Sequence, residues 1–210
     1  MFESNNGAEL PVISTINNLV HTGDKIVGID AVVSESLNFI INEFNEGAFF
    51  AEAVKLAIDQ GFTESDPEID LNGMDVLRKL LVLCREAKYN SEIEDVNHFP
   101  MILDFCLHGQ TPEDLLNDLK ANNGYFENWR LPLKEKKIRY GYIASIRNGK
   151  ASIGLKEVKL DHPFYNIHGK DNVISLSAKW YDAQPLIIKG AGAEIAASGI
   201  FGDIIRICSN

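Results

Sequence analysis

The sequence predicts an α+β fold in which a mostly antiparallel or mixed sheet is covered on one face by helices. Two observations indicate this class. Residues 10–122 carry mostly helical apolar spacing, whereas the segments after Lys137 alternate between apolar and polar side chains as strands do. Residues 25–33 add an early strand to the same sheet. Because 210 residues with 45% hydrophobic content can bury a substantial core, we expect residues 1–210 to form one domain.

The helices of the first half follow from apolar residues repeated every three or four positions and from residues that cap helix ends. Ser34 is typical of a helix N-cap, Gly47 of a helix end, and Thr111 followed by Pro112 of another helix start. Residues 74–84 are apolar almost all round, which indicates a buried helix. The predicted helices cover residues 10–20, 34–47, 50–60, 74–84, 100–107 and 111–122.

The sheet and the last helix follow mainly from the second half of the chain. The pair Asn148-Gly149 between two alternating segments predicts a tight hairpin. Residues 193–208 carry isoleucines at helical spacing and form the predicted last helix. The predicted strands cover residues 25–33, 138–146, 151–160, 173–180 and 185–189.

Charge and composition exclude several classes of partner. The formal net charge of -10 argues against nucleic acid and anionic membranes, because phosphate groups bind to cationic surfaces. Three cysteines in separate apolar segments are typical of reduced thiols, and the five histidines show no metal-ligand spacing. We expect neither a secretory leader nor a membrane span. The sequence therefore favours a cytoplasmic protein with a small-molecule ligand.

The most informative segment runs from Gly61 to Lys79. Asp75 and Lys79 lie four positions apart, so on a helix their charged ends share one face. An ammonium among apolar neighbours is costly unless it faces a polar cavity, which makes Lys79 a candidate proton donor or acceptor. The alternative is structural: Asn72 caps the helix, Asp75 completes a capping box, and Lys79 only pairs with Asp75. The residues alone leave both interpretations open.

The loop before this helix is strongly acidic. Glu64, Asp66 and Asp70 carry more negative charge than turn formation requires, and a cationic ligand group would relieve their repulsion. The alternative interpretation is a solvated acidic turn, in which Asp66-Pro67 supplies the turn chemistry.

The same segment resembles the signature of homoserine dehydrogenases at every fixed position. The similarity extends to residues 2–11, 161–166 and 190–203, and so over nearly the whole chain. It is strongest toward bifunctional aspartate kinase–homoserine dehydrogenases. The matching residues of the signature are Ala57, Gly61-Phe62-Thr63, Asp66-Pro67, Asp70-Leu71, Gly73, Asp75 and Lys79.

The resemblance implies reversible hydride transfer between NAD(P)H and L-aspartate 4-semialdehyde, which gives L-homoserine on the route to threonine and methionine. By family match, Lys79 gives or takes the proton on the reacting oxygen, and Asp75 shares the site with it. Glu64 and Asp70 bind the amino group of the substrate, with Thr63 beside them.

The resemblance further implies a sodium ion near a domain junction, a cofactor that approaches the last helix, and a homodimer in which the sheet after Ile138 takes part. The residues implied for these sites are Glu3, Asn6 and Ala8 for sodium, and Gly190, Gly192 and Ala193 for the cofactor.

The sequence also departs from the family pattern. The Gly-rich nucleotide-binding domain and its lysine are absent, and the loop at residues 190–192 is shorter than is usual. Glu9 and Glu35 stand where the family has glycines, so that they could bring strain or block a pocket. We therefore expect the chain to be inactive alone. Two other hypotheses stay open: a non-catalytic relative that serves as an oligomerisation or regulatory module, and an α+β domain that binds an amino acid without nucleotide.

Overall fold

The computed structural model describes residues 10–102, 111–169, 171–182, 184–190 and 193–208. Helices and strands follow one another in the mixed order that the sequence predicts. The helices are α1 (Val12–His21), α2 (Glu35–Glu46), α3 (Phe50–Asp59), α4 (Pro67–Leu71), α5 (Met74–Glu86), α6 (Pro112–Ala121), α7 (Asn123–Lys136) and α8 (Ala193–Cys208). The strands are β1 (Ile26–Val32), β2 (Val96–His98), β3 (Ile138–Arg147), β4 (Lys150–Lys159), β5 (Asn172–Ala178) and β6 (Leu186–Gly190).

The described strands form one sheet in the order β2-β4-β3-β1-β5-β6. Neighbouring strands run antiparallel except for the parallel pair of β2 and β4. The predicted α+β class with a mixed, largely antiparallel sheet is therefore confirmed. The central strand is β1, whose residue Asp30 pairs with Ser145 of β3 on one side and Ser175 of β5 on the other.

The main hydrophobic core lies between the helices and one face of the sheet. Ile29 and Ala31 of β1 are fully buried there, against residues of helices α1 to α7. The opposite face is only partly covered: Phe164 and Ile167 pack on a second cluster that includes Val32 of β1. Helices thus cover one face, as predicted, and a loop covers part of the other.

The helix and turn signals of the sequence are confirmed at several positions. The Ser34 side chain accepts a hydrogen bond from the backbone of Leu37 at 3.3 Å, and Gly47 ends α2 with a φ of 118°. Asn148 and Gly149 have φ values of 50° and 83°, as a type I′ hairpin turn requires.

The structure differs from the sequence-based expectations around α4 and α7. Asp66-Pro67 is not a simple turn, because Asp66 caps α4 and Pro67 is its first residue. Residues 123–136 form a helix that the sequence did not predict, since Pro132 lies inside it and its apolar periodicity is weak. Residues 100–102 are not helical, and the rest of the helix predicted over residues 100–107 lies outside the described residues. Within the described part of the chain, no helix is long and apolar enough to cross a membrane.

Candidate active site

Lys79 lies at the carboxyl end of the central strand, where the chain passes from β1 into α2. Its Nζ atom donates a hydrogen bond to the carbonyl oxygen of Val33 at 2.9 Å and lies 2.8 Å from Oδ2 of Asp75. The Lys79 side chain is 24% exposed and that of Asp75 is 56% exposed. The pair is therefore open to solvent on the carboxylate side and shielded on the ammonium side, so it adds little to stability by itself.

Helix α5 holds Lys79 in this place. Val76, Leu77 and Leu80 are buried in the core, which fixes the rotation of the helix and turns Lys79 toward the end of β1. The helix begins after Gly73, whose φ is 72° and whose missing side chain leaves room for the hydroxyl group of Tyr142. The lysine is thus positioned by packing and by the contact between Gly73 and β3.

The proposed capping box at the start of α5 is wrong. The N-cap residue is Gly73, and Asn72 is instead the residue that follows α4. The Asn72 side chain still accepts a hydrogen bond from the backbone of Met74 at 2.8 Å. Asp75 does lie in the first turn of α5 and pairs with Lys79, so the structural interpretation survives only for that pair.

Asp70 connects the acidic loop to α2. Its Oδ1 atom accepts a hydrogen bond from the Ser36 hydroxyl at 2.6 Å, and its Oδ2 atom accepts one from the backbone N–H of Glu64 at 2.8 Å. Ser36 is buried, and its hydroxyl lies 3.1 Å from that of Ser34. Both carboxylate oxygens of Asp70 therefore hold the loop of Glu64 against the start of α2.

Glu64 presents its carboxylate to solvent beside this connection. Among the described residues, no cation contacts the Glu64 side chain, and the adjacent Thr63 is half-buried. An exposed carboxylate next to a second one attracts a cationic ligand group, such as an ammonium. The hydrogen bond from the Glu64 backbone thus brings Glu64 next to Asp70, whereas Asp66 caps α4.

The segment Val33–Ser36 joins the two predicted pairs into one site. Lys79 binds its first residue and Asp70 binds its last, so these two residues lie at the two ends of the turn from β1 into α2. Sequence reasoning identified Ser34 as a helix cap but missed Ser36 and the Val33 carbonyl. Two serines directly after a buried strand were the available signal for Ser36, whereas a backbone carbonyl leaves none.

The other predicted site residues fall into two groups. Gly190 ends β6, where a side chain would come within 2.5 Å of Ile195 and 2.9 Å of Leu10, so this glycine permits close packing of α8. Ala193 is the first residue of α8. The residues Glu3, Asn6, Ala8, Glu9 and Gly192 lie outside the described part of the chain.

Glu35 does not bring the backbone strain that we expected from its replacement of a glycine. It is the half-buried first residue of α2, and its φ is not among the positive values found at non-glycine residues. Glu35 lies between Ser34 and Ser36 in the sequence, and therefore at the edge of the candidate site.

The sequence that forms this site matches a known protein family. The family model described as homoserine dehydrogenase matches residues 11–205. The chain belongs to the homoserine dehydrogenase family. It is 34% identical over 215 residues to the chloroplastic bifunctional aspartokinase/homoserine dehydrogenase 1 of Zea mays, and this match covers 99% of the chain and 23% of that protein.

A second relative is the homoserine dehydrogenase of Schizosaccharomyces pombe. It is 35% identical over 221 residues, and the match covers 100% of this chain and 58% of the relative. The chain thus spans about a quarter to somewhat more than half of the length of these curated members of the homoserine dehydrogenase family.

Solved structures show the same homoserine dehydrogenase fold. A Candida auris protein of unknown function has a TM-score of 0.92 at 33% identity, with 99% of this chain and 60% of that chain covered. A hyperthermophilic archaeal homoserine dehydrogenase mutant in complex with NADPH has a TM-score of 0.70 at 25% identity, with 97% and 54% covered.

Proposed function

We propose that this chain supplies the substrate-binding and catalytic part of a homoserine dehydrogenase, which interconverts L-aspartate 4-semialdehyde and L-homoserine with NAD(P)H. The observation that carries the proposal is the Lys79–Asp75 pair held by the Val33 carbonyl at the end of β1. Family membership and the NADPH complex of an archaeal relative support it.

The cofactor is bound mainly by another domain in this proposal. The described strands are antiparallel apart from β2 and β4, and they offer no Gly-rich turn between a parallel strand and a helix for the phosphates. NAD(P)H supplies the hydride when it is bound. The residues of this chain hold the substrate and manage its proton.

Lys79 transfers that proton. Val33 and Asp75 engage two of the three ammonium hydrogens of Lys79, and the third is directed to the substrate oxygen. In the reducing direction Lys79 gives a proton to this oxygen as it becomes a hydroxyl group, and in the oxidising direction Lys79 takes it back. The Asp75 carboxylate orients the ammonium and balances its charge.

Glu64 and Asp70 bind the amino group of the substrate. Two of the roughly four acceptor positions of Asp70 already bind Ser36 and the Glu64 backbone, so Asp70 contributes its remaining positions and its charge. The exposed carboxylate of Glu64 supplies the second negative charge. The distance from this end of the site to Lys79 then selects a substrate with an amino group and a reacting oxygen at its two ends.

Helix α8 offers a surface for the additional domain. Its exposed apolar side chains are 49–63% accessible, and a contiguous patch of this kind is typical of an interface. The relatives are longer than this chain, so the part of a relative that lies outside the match is the candidate occupant of this surface. The exposed residues are Ile200, Phe201, Ile204, Ile205 and Ile207.

A homodimer stays a prediction. Sedimentation velocity tests it directly, because it measures the size of the protein in solution.

Calorimetric titration of L-homoserine into the chain tests the substrate site. We expect binding that Glu64→Gln and Lys79→Met weaken by about tenfold or more, because each removes a charge that contacts the ligand. Lys55→Met is the matched control for the lysine, since Lys55 forms an exposed pair with Asp59 at the same spacing. Glu113→Gln, at the exposed start of α6, is the control for Glu64.

Two results contradict the proposal. One is equal affinity in the site variants and their controls. The other is absence of homoserine binding both in the chain and in its Glu35→Gly variant, which removes the half-buried glutamate from the edge of the site. Mixed with NADPH and aspartate semialdehyde, the chain alone should show no oxidation above background, and clear turnover would contradict the assignment of the cofactor to another domain.

A further inference from the structure

The first residue of β5, Asn172, has a buried amide group that the fold leaves unpaired. Its side chain is 0% exposed, and neither Oδ1 nor Nδ2 has a hydrogen-bond partner in the described part of the chain. A buried amide without partners costs free energy, so most such groups in folded proteins are paired. The unpaired amide of Asn172 therefore points to a partner that is not part of the free chain.

The backbone around Asn172 is held in place from both sides. The carbonyl oxygen of Asp171 accepts a hydrogen bond from Nδ2 of Asn38 at 2.9 Å, and Oδ2 of Asp171 lies 2.8 Å from Nζ of Lys189. Asn172 itself pairs with Gly190 of β6. The unpaired amide thus projects from a fixed position in the sheet.

Strand register places Asn172 beside the candidate active site. Val173 of β5 pairs with Val32 of β1 in an antiparallel ladder. The next position along this ladder brings Asn172 next to Val33. Val33 is the residue whose carbonyl oxygen accepts the hydrogen bond from Lys79 at 2.9 Å. The unpaired amide and the proposed proton donor therefore belong to the same end of the sheet.

The Asn172 side chain points to the face of the sheet that the helices cover. Side chains alternate along a strand, and Ile174, two residues further on, is buried in the main core on that face. At Gly190, the partner of Asn172, an added Cβ would lie 2.5 Å from Ile195 and 2.9 Å from Leu10. These two apolar side chains close over this end of the strand pair, and neither can form a hydrogen bond with the amide.

The substrate of the proposed function has one charged group that the residues assigned so far do not bind. Glu64 and Asp70 bind its amino group and Lys79 its reacting oxygen, whereas its carboxylate has no donor of its own. The Nδ2 atom of an asparagine can donate two hydrogen bonds to a carboxylate, and Oδ1 can accept one from the neighbouring ammonium. Among the buried side chains of the described residues, Asn172 is the one amide whose nitrogen and oxygen are both unpaired.

We propose that Asn172 is a substrate-binding residue whose Nδ2 atom binds the carboxylate of an α-amino acid. The inference rests on the function proposed above and adds recognition of the carboxylate to it. In the free chain Ile195 covers the amide, and the substrate displaces this side chain when it binds. Helix α8 leaves five large apolar side chains exposed, so little packing opposes a shift of its first turn. Asn172 thus selects amino acids over amines that carry the same hydroxyl group.

The test compares L-homoserine with 3-aminopropanol, which has the same amino and hydroxyl groups and lacks the carboxylate. Calorimetry measures both affinities in the whole chain, where we expect homoserine to bind about tenfold more tightly. In Asn172→Leu, homoserine should bind about tenfold more weakly and 3-aminopropanol at most about threefold more weakly. Asn123→Leu is the matched control, since the amide oxygen of Asn123 is also buried without a partner among the described residues. The control should bind both ligands as the unaltered chain does.

Urea unfolding separates a binding role of Asn172 from a structural one. Leucine has nearly the same shape as asparagine and removes the cost of an unpaired buried amide. The midpoint of unfolding in Asn172→Leu should therefore be no lower than in the unaltered chain. A side chain that only supports the fold would instead lower this midpoint and weaken the binding of both ligands equally.

An unchanged preference for homoserine over 3-aminopropanol in Asn172→Leu overturns the inference. Unchanged homoserine affinity does so too, and it is the result expected if the amide binds only an internal water molecule. Glu64→Gln should weaken both ligands, because it acts on the amino group that they share. If Glu64→Gln has this effect and Asn172→Leu has none, only the inference about Asn172 fails.

Absence of homoserine binding in the unaltered chain and in Glu35→Gly contradicts the proposed function, and this inference fails with it. If Asn172→Leu does not fold, Asn172→Ala decides by the same comparison of the two ligands.

Discussion

Gly73 is the position at which one added methyl group should affect the start of α5 most strongly. In Gly73→Ala, an alanine at a φ of 72° costs about 1–2 kcal/mol, because its side chain crowds the following carbonyl. The methyl group would also collide with the hydroxyl of Tyr142 and lie 3.2 Å from Nε2 of His98. Displacing the Tyr142 hydroxyl removes its hydrogen bond to the Phe99 carbonyl, which contributes about 0.5–1.5 kcal/mol. We expect a total loss of about 1.5–3.5 kcal/mol in the free energy of unfolding.

Gly61→Ala is the matched control, since Gly61 has a φ of 70° and no atom within 4 Å of an added Cβ. It should lose only the backbone cost of about 1–2 kcal/mol. Urea unfolding followed by tryptophan fluorescence measures both variants. In a Tyr142→Phe background the cost of Gly73→Ala should fall toward that of Gly61→Ala, because the colliding oxygen is gone. Equal costs at the two glycines in the unaltered background would refute the reasoning.

Three further outcomes follow from buried groups. Burial raises the pKa of Tyr142 above its usual value. The contribution of the buried Tyr142 side chain to stability is therefore complete below pH ~10 and is lost as the pH rises beyond that. Alkaline unfolding should be less steep in Tyr142→Phe. Asn38→Ala should cost about 1–3 kcal/mol in urea unfolding, because alanine removes the hydrogen bonds that the Asn38 amide donates to the carbonyls of Gly169 and Asp171. A thiol reagent should label exposed Cys208 quickly and Cys84 only after unfolding, because Cys84 is buried and burial raises the pKa of its thiol. Peptide mass mapping measures the labelling of each cysteine, and equal rates at the two would contradict this.

Most of the fold could be predicted because its signals are local. Ser34, Gly47 and the pair Asn148-Gly149 each act on their own turn of backbone, and the alternation of the strands depends only on which face is buried. Helix α7 escaped prediction because its stability comes from tertiary packing. Trp129 contacts an aromatic cluster from α2 and α3, which no local pattern around Pro132 indicates.

The candidate site divides in the same way. Lys79 and Asp75 are four residues apart on one helix, so their pairing follows from the sequence. Asp70 and Ser36 are distant in the chain and meet only when α4 packs beside the start of α2, so the sequence could propose Asp70 as a ligand residue but not its bond to Ser36. The pairing of Asp30 with Ser145 across β1 and β3 depends on strand register, which the sequence does not specify without the strand order.

The position of β1 in the sheet affects how the chain is able to fold. Ala31 pairs with Ala144 and Ile174, so the central strand must wait for partners that are synthesised roughly 110 and 140 residues later. At ~5–20 residues per second this delay is on the order of ten seconds on the ribosome. Helices α1 to α7 can form locally during that interval, while both edges of β1 stay unpaired. Strand β1 is therefore the segment most exposed to mispairing in the nascent chain, and a chaperone that covers it should raise the yield of folded protein.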